Sequence, residues 1–347
     1  EVLPIRLANA LYKKGFGVTV LEFFRGDRNS GVRQLLNSGI PVVSCNDTDT
    51  LRRYVRDFGI DVFNSHHLSL QNLFCDAFPE DPRPRHVAVT HGLLDTLTEA
   101  ELSWCLSKVD AGTDHWIYGA EKNLVPFESL DLYAVDRFTK LPNGMERSAI
   151  LPVSRQELGI SDDAFVLCLV SRAMVEKGWS EAIEVVSLAR ERSGRDIHLL
   201  LVGDGEECER LGKTGLPDHV HLLGFRANPL DYYAASDMGF LPSRYRAETF
   251  PLTIVEALFA SRPVIASDVG DVRNMLDAGN GEVAGAVFSL DDWKIPVDEV
   301  AGLVSDFAVN ASAVSWASRL AWKKSVEFEI GGIADRYAAL FAGDSVS

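Results

Sequence analysis

The sequence predicts an α/β protein made of two doubly wound, parallel-sheet domains. Short β-rich runs alternate with amphipathic stretches along the chain, which is typical of parallel sheets with helices on both faces. A length of 347 residues is too long for one ordinary core and suits two. A cluster of proline, glycine and asparagine at 139–159 marks the boundary between the domains.

The first domain is predicted over residues 1–147. An opening helical pattern ends at a Gly-Phe-Gly triplet, and further helical stretches separate four β-rich runs. These runs are GVTVLEFF (17–24), PVVS (41–44), DVFNS (61–65) and RHVAVT (85–90). Because β-branched and aromatic residues pack well on a pleated sheet, we predict that the runs are parallel strands.

The second domain is predicted over residues 148–325, and its pattern is more regular. Five apolar runs are each followed by a helical pattern, namely AFVLCLVS (164–171), DIHLLLVGDG (196–205), DHVHLLGF (218–225), DMGFLPS (237–243) and RPVIASD (262–268). The tail from about Val297 to Leu340 reads as three helices, and segment 326–347 is expected to pack back toward the first domain. Ligands of doubly wound sheets bind at the carboxyl ends of the strands, so we expect a ligand in a cleft between the facing domains.

Composition and charge exclude several classes of protein. Apolar residues make up 46% of the chain and charged residues 24%, which is near the globular average and excludes disordered and fibrous chains. A formal charge of −16 opposes binding to nucleic acid. The sequence has no long apolar run of the kind that spans a membrane. Five widely spaced cysteines without a C-x-x-C pair favour a reducing cytoplasm.

Two cations follow the first strand of the second domain. Arg172 and Lys177 fall on the loop between the run AFVLCLVS and the next helix, at the carboxyl edge of the predicted sheet. Arginine offers a planar fork for phosphate oxygens and lysine a compact charge, so the two suit a diphosphate. An isolated R-x4-K is more often a pair of solvated loop charges, but residues further along the chain favour the diphosphate.

Two acidic residues, Glu248 and Glu256, flank a predicted helix start in the same domain. Pro251 suits the first helical position, where no backbone donor is needed, and the free amides around it would face an anion. Carboxylates beside a phosphate site are reasonable if they accept hydrogen bonds from sugar and ribose hydroxyls. The alternative stays open that Glu256 is an exposed helical residue and that Glu248 is only an acid favoured by the helix dipole.

Five blocks of the second half follow one another in a recognisable order. They are SRAMVEKG with its R-x4-K, the VGDGEE turn at 202–207, LLGF at 222–225, the two glutamates eight positions apart, and RPVIASDVG. In order and spacing they resemble the donor domain of retaining glycosyltransferases of family 4, which have the GT-B fold of two Rossmann-like domains. The resemblance covers essentially the whole chain and is strong from about residue 165 to 275. It departs at the front, where the chain starts at the helix that follows the first strand and glycine-rich loop of these relatives.

The resemblance implies a role for each of these positions. Arg172 and Lys177 would hold the donor diphosphate. Glu256 would accept from the ribose hydroxyls, and Glu248 from hydroxyls of the transferred sugar near the reacting carbon. The wider donor-binding set is Gly203, Phe225, Thr249, Phe250, Pro251, Leu252 and Thr253. Many relatives have glycine in place of the threonine at 249 and the proline at 251, and proline removes one backbone donor.

The first domain contributes a histidine-glycine pair. His91 and Gly92 follow the predicted strand RHVAVT and are similar to the pair that the family places over the donor sugar. On the acceptor side we expect Asp95 together with His66 and His67, which end the run DVFNS. A local capping or packing role is favoured for the last two histidines over contact with an acceptor.

The resulting hypothesis is a retaining, metal-independent glycosyltransferase that moves a sugar from a nucleotide-diphosphate sugar to a glycan or lipid-linked acceptor. The leaving diphosphate would take the acceptor proton, and the family suggests bacterial surface polysaccharide synthesis in the cytoplasm. Peripheral contact with the inner face of the membrane stays an alternative. No His, Cys and Asp cluster has ligand spacing, so no metal and no cofactor besides the donor is expected. His198 and His221 belong to strand patterns and are predicted to be structural.

Three other functions are compatible with parts of the sequence. A GT-B-fold nucleotide-sugar epimerase or hydrolase would need an acid or base pair in the cleft. A non-catalytic, nucleotide-sugar-binding subunit of a glycan assembly complex would fit the unusual front of the chain. A dinucleotide-dependent oxidoreductase shares the fold class, but VGDGEE is not a G-x-G-x-x-G fingerprint followed by an acidic residue about twenty positions later.

Overall fold

The computed structural model describes residues 2–23, 30–92, 94 and 97–344, without the side chains at positions 30 and 32. The chain divides into two compact units. The first comprises the residues up to Glu146 and those from Glu327 onward, and the second comprises Arg147–Val326. The chain therefore leaves the first unit, completes the second and returns to the first with its last helix.

Strands and helices alternate along both units. The strands are β1 (Val20–Glu22), β2 (Val42–Ser44), β3 (Val62–Ser65), β4 (Arg85–Thr90), β5 (His115–Tyr118), β6 (Phe138–Lys140), β7 (Phe165–Val170), β8 (Ile197–Val202), β9 (Val220–Gly224), β10 (Met238–Leu241), β11 (Val264–Ser267), β12 (Asp277–Gly279), β13 (Glu282–Val283) and β14 (Gly285–Phe288). The helices are α1 (Leu3–Lys13), α2 (Ser30–Arg33), α3 (Thr48–Phe58), α4 (Leu68–Ala77), α5 (Glu99–Ala111), α6 (Val125–Ser129), α7 (Trp179–Ser193), α8 (Glu206–Leu211), α9 (Leu230–Ala235), α10 (Leu252–Phe259), α11 (Val272–Leu276), α12 (Val297–Val309), α13 (Ala311–Ser325) and α14 (Ile330–Ala342). Short 3-10 turns lie at Glu121–Leu124, Val135–Arg137, Gln156–Leu158, Val175–Lys177 and Val326–Phe328.

The second unit is built on a six-stranded parallel sheet in the order β14-β11-β10-β7-β8-β9. Phe165, Leu167 and Leu169 of β7 share a core with α7 and α12, while the alternate residues Val166 and Cys168 are buried toward the other face. Burial on both faces explains why β7 is a continuous apolar run and why β8 is apolar except for His198. The strand order reverses between β7 and β10, and this topological switch point is where doubly wound sheets bind ligands.

The first unit contains a four-stranded parallel sheet in the order β3-β4-β5-β6, and β1 pairs separately with β2. The two terminal helices of the chain pack together on this sheet. Leu7 of α1 and Tyr337 of α14 lie in one buried cluster with Val87 and Val89 of β4. The last helix therefore completes the core of the first unit.

The structure differs from the sequence predictions at short elements. The strands that were not predicted have only two to four residues each, and they are β5, β6, β12, β13 and β14. The prediction of Pro251 as the first helical residue was wrong by one position. Its ψ of 107° is extended, so Pro251 is the N-cap and Leu252 is the first helical residue of α10. The tail predicted as three helices folds as α12, α13 and α14.

No single helix in the described part of the chain is long and apolar enough to cross a bilayer. One pair, Val297–Val309 with Ala311–Phe328, passes by length and composition together, but its halves meet at an angle of 98°. Val304 of the first half and Ala321 of the second are fully buried in the second unit.

Candidate functional site

The connections that follow β7, β8 and β10 touch one another at the carboxyl edge of the six-stranded sheet. Gly178, after β7, has a φ of +72°, and a β-carbon there would overlap the carbonyl oxygen of Pro242, after β10. Gly203, after β8, has a φ of +146°, and a β-carbon there would overlap the carbonyl oxygen of Ser171. Glycine therefore allows backbone to approach backbone at the switch point.

Lys177 and Glu248 form a buried ion pair across this edge. The Nζ atom of Lys177, on the 3-10 turn after β7, contacts Oε2 of Glu248, on the connection after β10. Only 10% and 12% of the two side chains are exposed, so solvent screens their charges little. The structure thus brings together two of the predicted site residues, from the two strands on either side of the switch point.

Two further polar side chains contact the ion pair, and sequence reasoning missed both. The hydroxyl of Ser243, which is fully buried, donates to Oε2 of Glu248 over 3.4 Å. The ring centroid of Tyr245 lies 5.0 Å from Nζ of Lys177, within range of a cation–π interaction. The only sequence signal for them was their place in the polar stretch SRYRAE that leads to the glutamate.

Arg172 lies on the same connection as Lys177 but does not take part in the ion pair between Lys177 and Glu248. Its carbonyl oxygen accepts hydrogen bonds from the backbone of Met174 at 2.9 Å and the hydroxyl of Ser171 at 3.1 Å, which fix its backbone. Its side chain is exposed and makes no ion pair with any residue in the described ranges. An exposed guanidinium at this edge can meet an anionic ligand without first losing a protein partner.

Glu256 lies in the second turn of α10 and is half-buried. Burial raises the pKa of the Tyr233 hydroxyl well above its ordinary value, and the charge of the Glu256 carboxylate adds to this effect. Glu256 is therefore not on a fully exposed helix face.

The start of α10 offers backbone rather than side chains to a ligand. The N–H groups of Leu252 and Thr253 belong to the first turn of the helix, where no intrahelical acceptor exists. Phe250 is buried and packs in the core. The carbonyl oxygen of Thr249 accepts a hydrogen bond from the backbone of Asp271 at 2.7 Å, which ties this segment to the connection after β11.

Gly203 and Phe225 lie at the same edge of the sheet. The N–H of Gly203 donates to the carbonyl oxygen of Gly224 over 2.9 Å, so the connections after β8 and β9 are joined. Phe225 follows β9 and exposes 70% of its surface. Its ring offers a flat apolar face to a planar ligand group.

The first unit brings His66 and His91 together at the carboxyl ends of β3 and β4. Nδ1 of His66 lies 3.0 Å from Nε2 of His91, and Nε2 of His66 lies 2.8 Å from Oδ1 of Asn64. Burial, and then the neighbouring His91, hold the pKa of His66 well below its ordinary value. The sequence indicated each histidine separately, but not their contact and not the part that Asn64 plays.

His67 caps the helix that follows it. Its Nδ1 atom accepts a hydrogen bond from the backbone N–H of Ser69 at 3.2 Å, which makes it the N-cap of α4. This is the local capping role considered for it from the sequence. Asp95, also expected on the acceptor side, lies outside the described residues.

The remaining histidines lie at or before the amino ends of strands. Nδ1 of His198 on β8 is 2.9 Å from Nε2 of His221 on β9, and Asp196 contacts the other nitrogen of His198. These positions are at the opposite edge of the sheet from the ion pair. Within the described residues, no group of three or more His, Cys, Asp or Glu side chains is placed to hold a metal ion.

Comparison with known protein families gives a match that lies within the second unit. Residues 152–310 match the family model of glycosyl transferases group 1. The matched segment contains both members of the ion pair, the exposed arginine after β7 and the glutamate on α10. The family match therefore coincides with the part of the chain that carries the site.

Curated relatives are also similar over part of the chain. The lipopolysaccharide core biosynthesis mannosyltransferase LpsB of Rhizobium meliloti is 32% identical over 149 residues, which are 43% of this chain and 42% of that protein. The alpha-D-kanosaminyltransferase of Streptomyces kanamyceticus is 27% identical over 193 residues, which are 54% of this chain and 47% of that protein. In both comparisons the match spans less than half the length of the relative.

Solved structures are similar over nearly the whole chain. HepE (Alr3699) of Anabaena, crystallised with UDP, has a TM-score of 0.79 at 20% identity, covering 98% of this chain and 95% of that one. WaaG, a glycosyltransferase involved in lipopolysaccharide biosynthesis, has a TM-score of 0.64 at 16% identity, with coverage of 98% and 95%. These likenesses concern the fold, and they confirm the predicted GT-B class with two Rossmann-like domains.

Proposed function

We propose that this chain is a glycosyltransferase whose second unit binds a nucleotide-diphosphate sugar. The buried pair of Lys177 and Glu248 at the switch point carries the proposal. An ammonium group suits phosphate oxygens and a carboxylate suits hydroxyl donors, and a sugar nucleotide presents both groups a few bonds apart. The group 1 family match and the two transferases among the curated relatives support the same function.

The donor class rests on the site and on the solved relatives. HepE has been crystallised both with UDP and with UDP-glucose. Because a neutral sugar would give an exposed arginine and a lysine little to bind, the two cations favour a donor that carries phosphate. A nucleoside diphosphate joined to a sugar is therefore the donor that we propose for this chain.

Each site residue has a role in this proposal. Arg172 and Lys177 hold the diphosphate, and the first amides of α10 assist them. Glu248 accepts from hydroxyls of the transferred sugar, and Glu256 from those of the ribose. Phe225 offers its exposed face to the nucleobase, next to the backbone of the glycine after β8.

The finer chemistry follows the resemblance to family 4. Transfer proceeds with retention at the anomeric carbon and without a metal ion, and the leaving diphosphate takes the proton of the acceptor hydroxyl. Charge develops on that diphosphate in the transition state, where preorganised cations stabilise it. The acceptor is a glycan or a lipid-linked glycan of a bacterial surface polysaccharide, made at the cytoplasmic side of the membrane. LpsB and WaaG, both named for lipopolysaccharide synthesis, support this class of acceptor.

Replacing Arg172 with alanine tests the proposal with little risk to the fold, because the side chain is exposed and makes no ion pair in the described ranges. Loss of one preorganised donor to a developing charge costs roughly 3 kcal/mol, so turnover should fall by about a hundredfold. A thermal-shift screen of nucleotide-diphosphate sugars first identifies the donor, since selective binding raises apparent stability. Turnover of that donor is then followed by mass spectrometry in both proteins.

Lys213→Ala is the matched control, because this lysine is also exposed but lies between α8 and β9, before the amino end of a strand. Its turnover should stay within about twofold of the unsubstituted chain. Equal turnover of Arg172→Ala and the control would remove Arg172 from the site. Binding of a nucleotide sugar without transfer would favour a non-catalytic subunit, and release of an epimer or of free sugar would favour the epimerase or hydrolase.

A further inference from the structure

The connection after β14 contains a tight turn with an unusual backbone. Asp291 and Lys294 exchange two backbone hydrogen bonds, at 2.9 Å and 2.8 Å, so the residues between them form a two-residue turn. Those residues are Asp292 and Trp293, with φ values of +44° and +57°. Positive φ at both central positions is the pattern of a type I′ turn, which favours glycine and asparagine. A bulky tryptophan at +57° is therefore strained.

The ring of Trp293 contacts the connection that carries Glu248. The guanidinium carbon of Arg246 lies 4.3 Å from the ring centroid, within range of a cation–π interaction. Arg246 precedes Glu248 by two residues on the connection after β10. Glycine in place of the tryptophan would relieve the backbone but lose this contact. The contact thus gives a reason for a tryptophan at a turn position that suits glycine.

The same turn is attached to the connection that carries Lys177. Ile295, two residues after Trp293, is buried, and its Cδ1 atom lies 2.8 Å from where a β-carbon on Gly178 would stand. Gly178 directly follows Lys177. The connection after β14 therefore contacts the connections of both members of the buried ion pair, one through an aromatic ring and the other through an aliphatic side chain.

The connection after β10 is also held near its start and near its end. Nη2 of Arg244 lies 2.9 Å from Oε1 of Glu181 on α7. The backbone N–H of Glu248 donates to the carbonyl oxygen of Tyr245 at 3.0 Å, which closes a short loop. Arg246 lies inside that loop. The tryptophan ring therefore contacts the part of the connection between its ion-paired start and the glutamate.

We propose that Trp293 is a positioning residue, whose ring holds Arg246 and thereby the loop that places Glu248 opposite Lys177. The restraint on the loop follows from contacts within the second unit, and only its effect on sugar transfer rests on the proposed function. Trp293 leaves 39% of its surface exposed, so its ring is not a fully buried part of the core. The order that the ring gives the loop explains the strained turn.

Substitutions in the turn separate the ring from the backbone. Trp293→Gly removes the ring and gives the Asp-Gly pair that a type I′ turn prefers, whereas Trp293→Phe keeps an aromatic ring. Hydrogen exchange of the full chain, measured by mass spectrometry, reports the order of the loop without any substrate. Peptides covering residues 244–250 should exchange about fivefold faster in Trp293→Gly and near the unsubstituted rate in Trp293→Phe. Lost contacts and relieved strain oppose each other, so the Tm of both variants should change by less than about 3 °C.

Sugar transfer is the second readout. We expect kcat/KM to fall about tenfold in Trp293→Gly, because Glu248 is no longer held in place, and to stay within about threefold in Trp293→Phe. Asp292→Gly controls for the added glycine, because it changes the same turn but keeps the ring. Trp316→Ala controls for loss of a tryptophan stacked on an arginine, since Arg319 lies 4.9 Å from that ring on α13. Both controls should stay within about twofold of the unsubstituted chain in loop exchange and in kcat/KM.

These readouts fail in different ways. Unchanged loop exchange in Trp293→Gly would overturn the proposal, and so would a Trp293→Phe variant as impaired as Trp293→Gly. Faster loop exchange with undiminished kcat/KM would also overturn it, because the order of the loop would then not matter to the site. If the chain transfers no sugar at all, the proposed function fails while hydrogen exchange still decides the positioning role. If Trp293→Gly does not fold, Trp293→Asn takes its place, because asparagine also accepts a positive φ.

Discussion

Two histidine pairs in this molecule follow one pattern and differ in two respects. In each, a side chain with an acceptor oxygen precedes a histidine by two positions, and a second histidine comes from the neighbouring parallel strand. The closest nitrogens are 3.0 Å apart in the first unit and 2.9 Å apart in the second. The rows are Asn64-His66-His91 and Asp196-His198-His221. The pairs differ in which end of the strands they occupy and in the charge of the acceptor.

The end of the strand decides what a histidine can meet. The first pair follows the carboxyl ends of β3 and β4, where ligands of parallel sheets bind. The second pair lies at the amino ends of β8 and β9, the opposite edge of the sheet from the buried ion pair. Being a histidine therefore does not distinguish a candidate ligand contact from a structural contact in this chain. The distinction we draw is by position, with candidate ligand contacts at the carboxyl ends of strands and structural contacts at the amino ends.

The charge of the acceptor side chain, Asn64 or Asp196, influences which ring nitrogens of the adjacent histidine are protonated. The neutral amide of the first row fixes the direction of its bond to His66, because Nδ2 of Asn64 faces a carbonyl oxygen and Oδ1 can only accept. A carboxylate can instead stabilise an imidazolium, so the direction of the second row is not fixed by its acceptor. Burial, followed by the charges of the neighbouring histidines, lowers the pKa of His221.

The largest effect should come from His86, a buried histidine outside both pairs, at the amino end of the strand that His91 follows. Nδ1 of His86 donates to the carbonyl oxygen of Gly112 at 2.9 Å, and Nε2 accepts from Ser65 at 2.8 Å. Burial lowers the pKa of His86 to about 4, whereas an exposed histidine titrates near about 6.5. Between these values the unfolded chain binds a proton that the folded chain excludes. Stability is therefore complete above the unfolded value and falls by about 3 kcal/mol as the pH drops to about 4.

Urea unfolding of the chain and of His86→Gln between about pH 4.5 and 7.5 measures this effect. The substituted chain should lose less stability on acidification, because it no longer carries the buried titrating group. Parallel stability curves for the two proteins would contradict the assignment. The histidine pair at the carboxyl ends is left unchanged in both proteins.

A smaller effect, on turnover, should distinguish the two pairs directly. The resemblance implies that His91 contacts the transferred sugar, so under the proposed function His91→Ala should remove a hydrogen bond worth about 1.4 kcal/mol and lower kcat/KM about tenfold. His221→Leu removes the matching histidine of the other row and should leave kcat/KM within about twofold. Transfer assays on the two folded variants make the comparison, with circular dichroism to verify the fold. Equal losses in both variants would mean that the position along the strand has no functional meaning here.

The smallest effect should come from Asp196→Asn, which gives the second row the amide acceptor of the first. A hydrogen bond from Arg190, assisted by His198, lowers the pKa of Asp196. Its stabilising contribution is therefore present above the unfolded value and is lost as the pH falls through the folded one. The carboxylate is about half exposed, so solvent screening limits the contribution to less than about 1 kcal/mol at pH 7. Thermal unfolding should show that Asp196→Asn is less stable than the unsubstituted chain near neutral pH, and that the difference in stability narrows toward about pH 3.

The fold was predictable where burial leaves a clear pattern in the sequence. β7 and β8 are covered on both faces, so β7 is a continuous apolar run and β8 is apolar except for His198, and both were easily recognised. β5 is also fully buried, but it has only four residues and begins with the polar residue His115, so its sequence does not show an apolar run. The ring of His115 forms a hydrogen bond with the hydroxyl of Thr139. β14 has four residues and begins with a glycine that permits close packing against Val264.

The site was predictable as a set of residues, but its contacts were not. Sequence order and strand-end position identified Lys177 and Glu248, yet these residues are 71 positions apart and their contact depends on the glycine approach after β7. Asn64 gave no signal, because an amide in a short strand looks like any polar strand residue. Its role follows from strand register, which places Asn64 opposite Val87 and thereby fixes which amide atom faces the histidine.

The carboxylate of Glu248 is already paired with Lys177, so it competes with any phosphate group for that cation. Under the proposed function, an inorganic phosphate ion could take Lys177 only by leaving Glu248 buried without its cation, which is costly. A ligand that brings phosphate and hydroxyl groups together would satisfy both members at once. The cost of separating the pair would therefore favour binding of an intact sugar nucleotide over binding of small cellular anions, independently of the shape of the pocket.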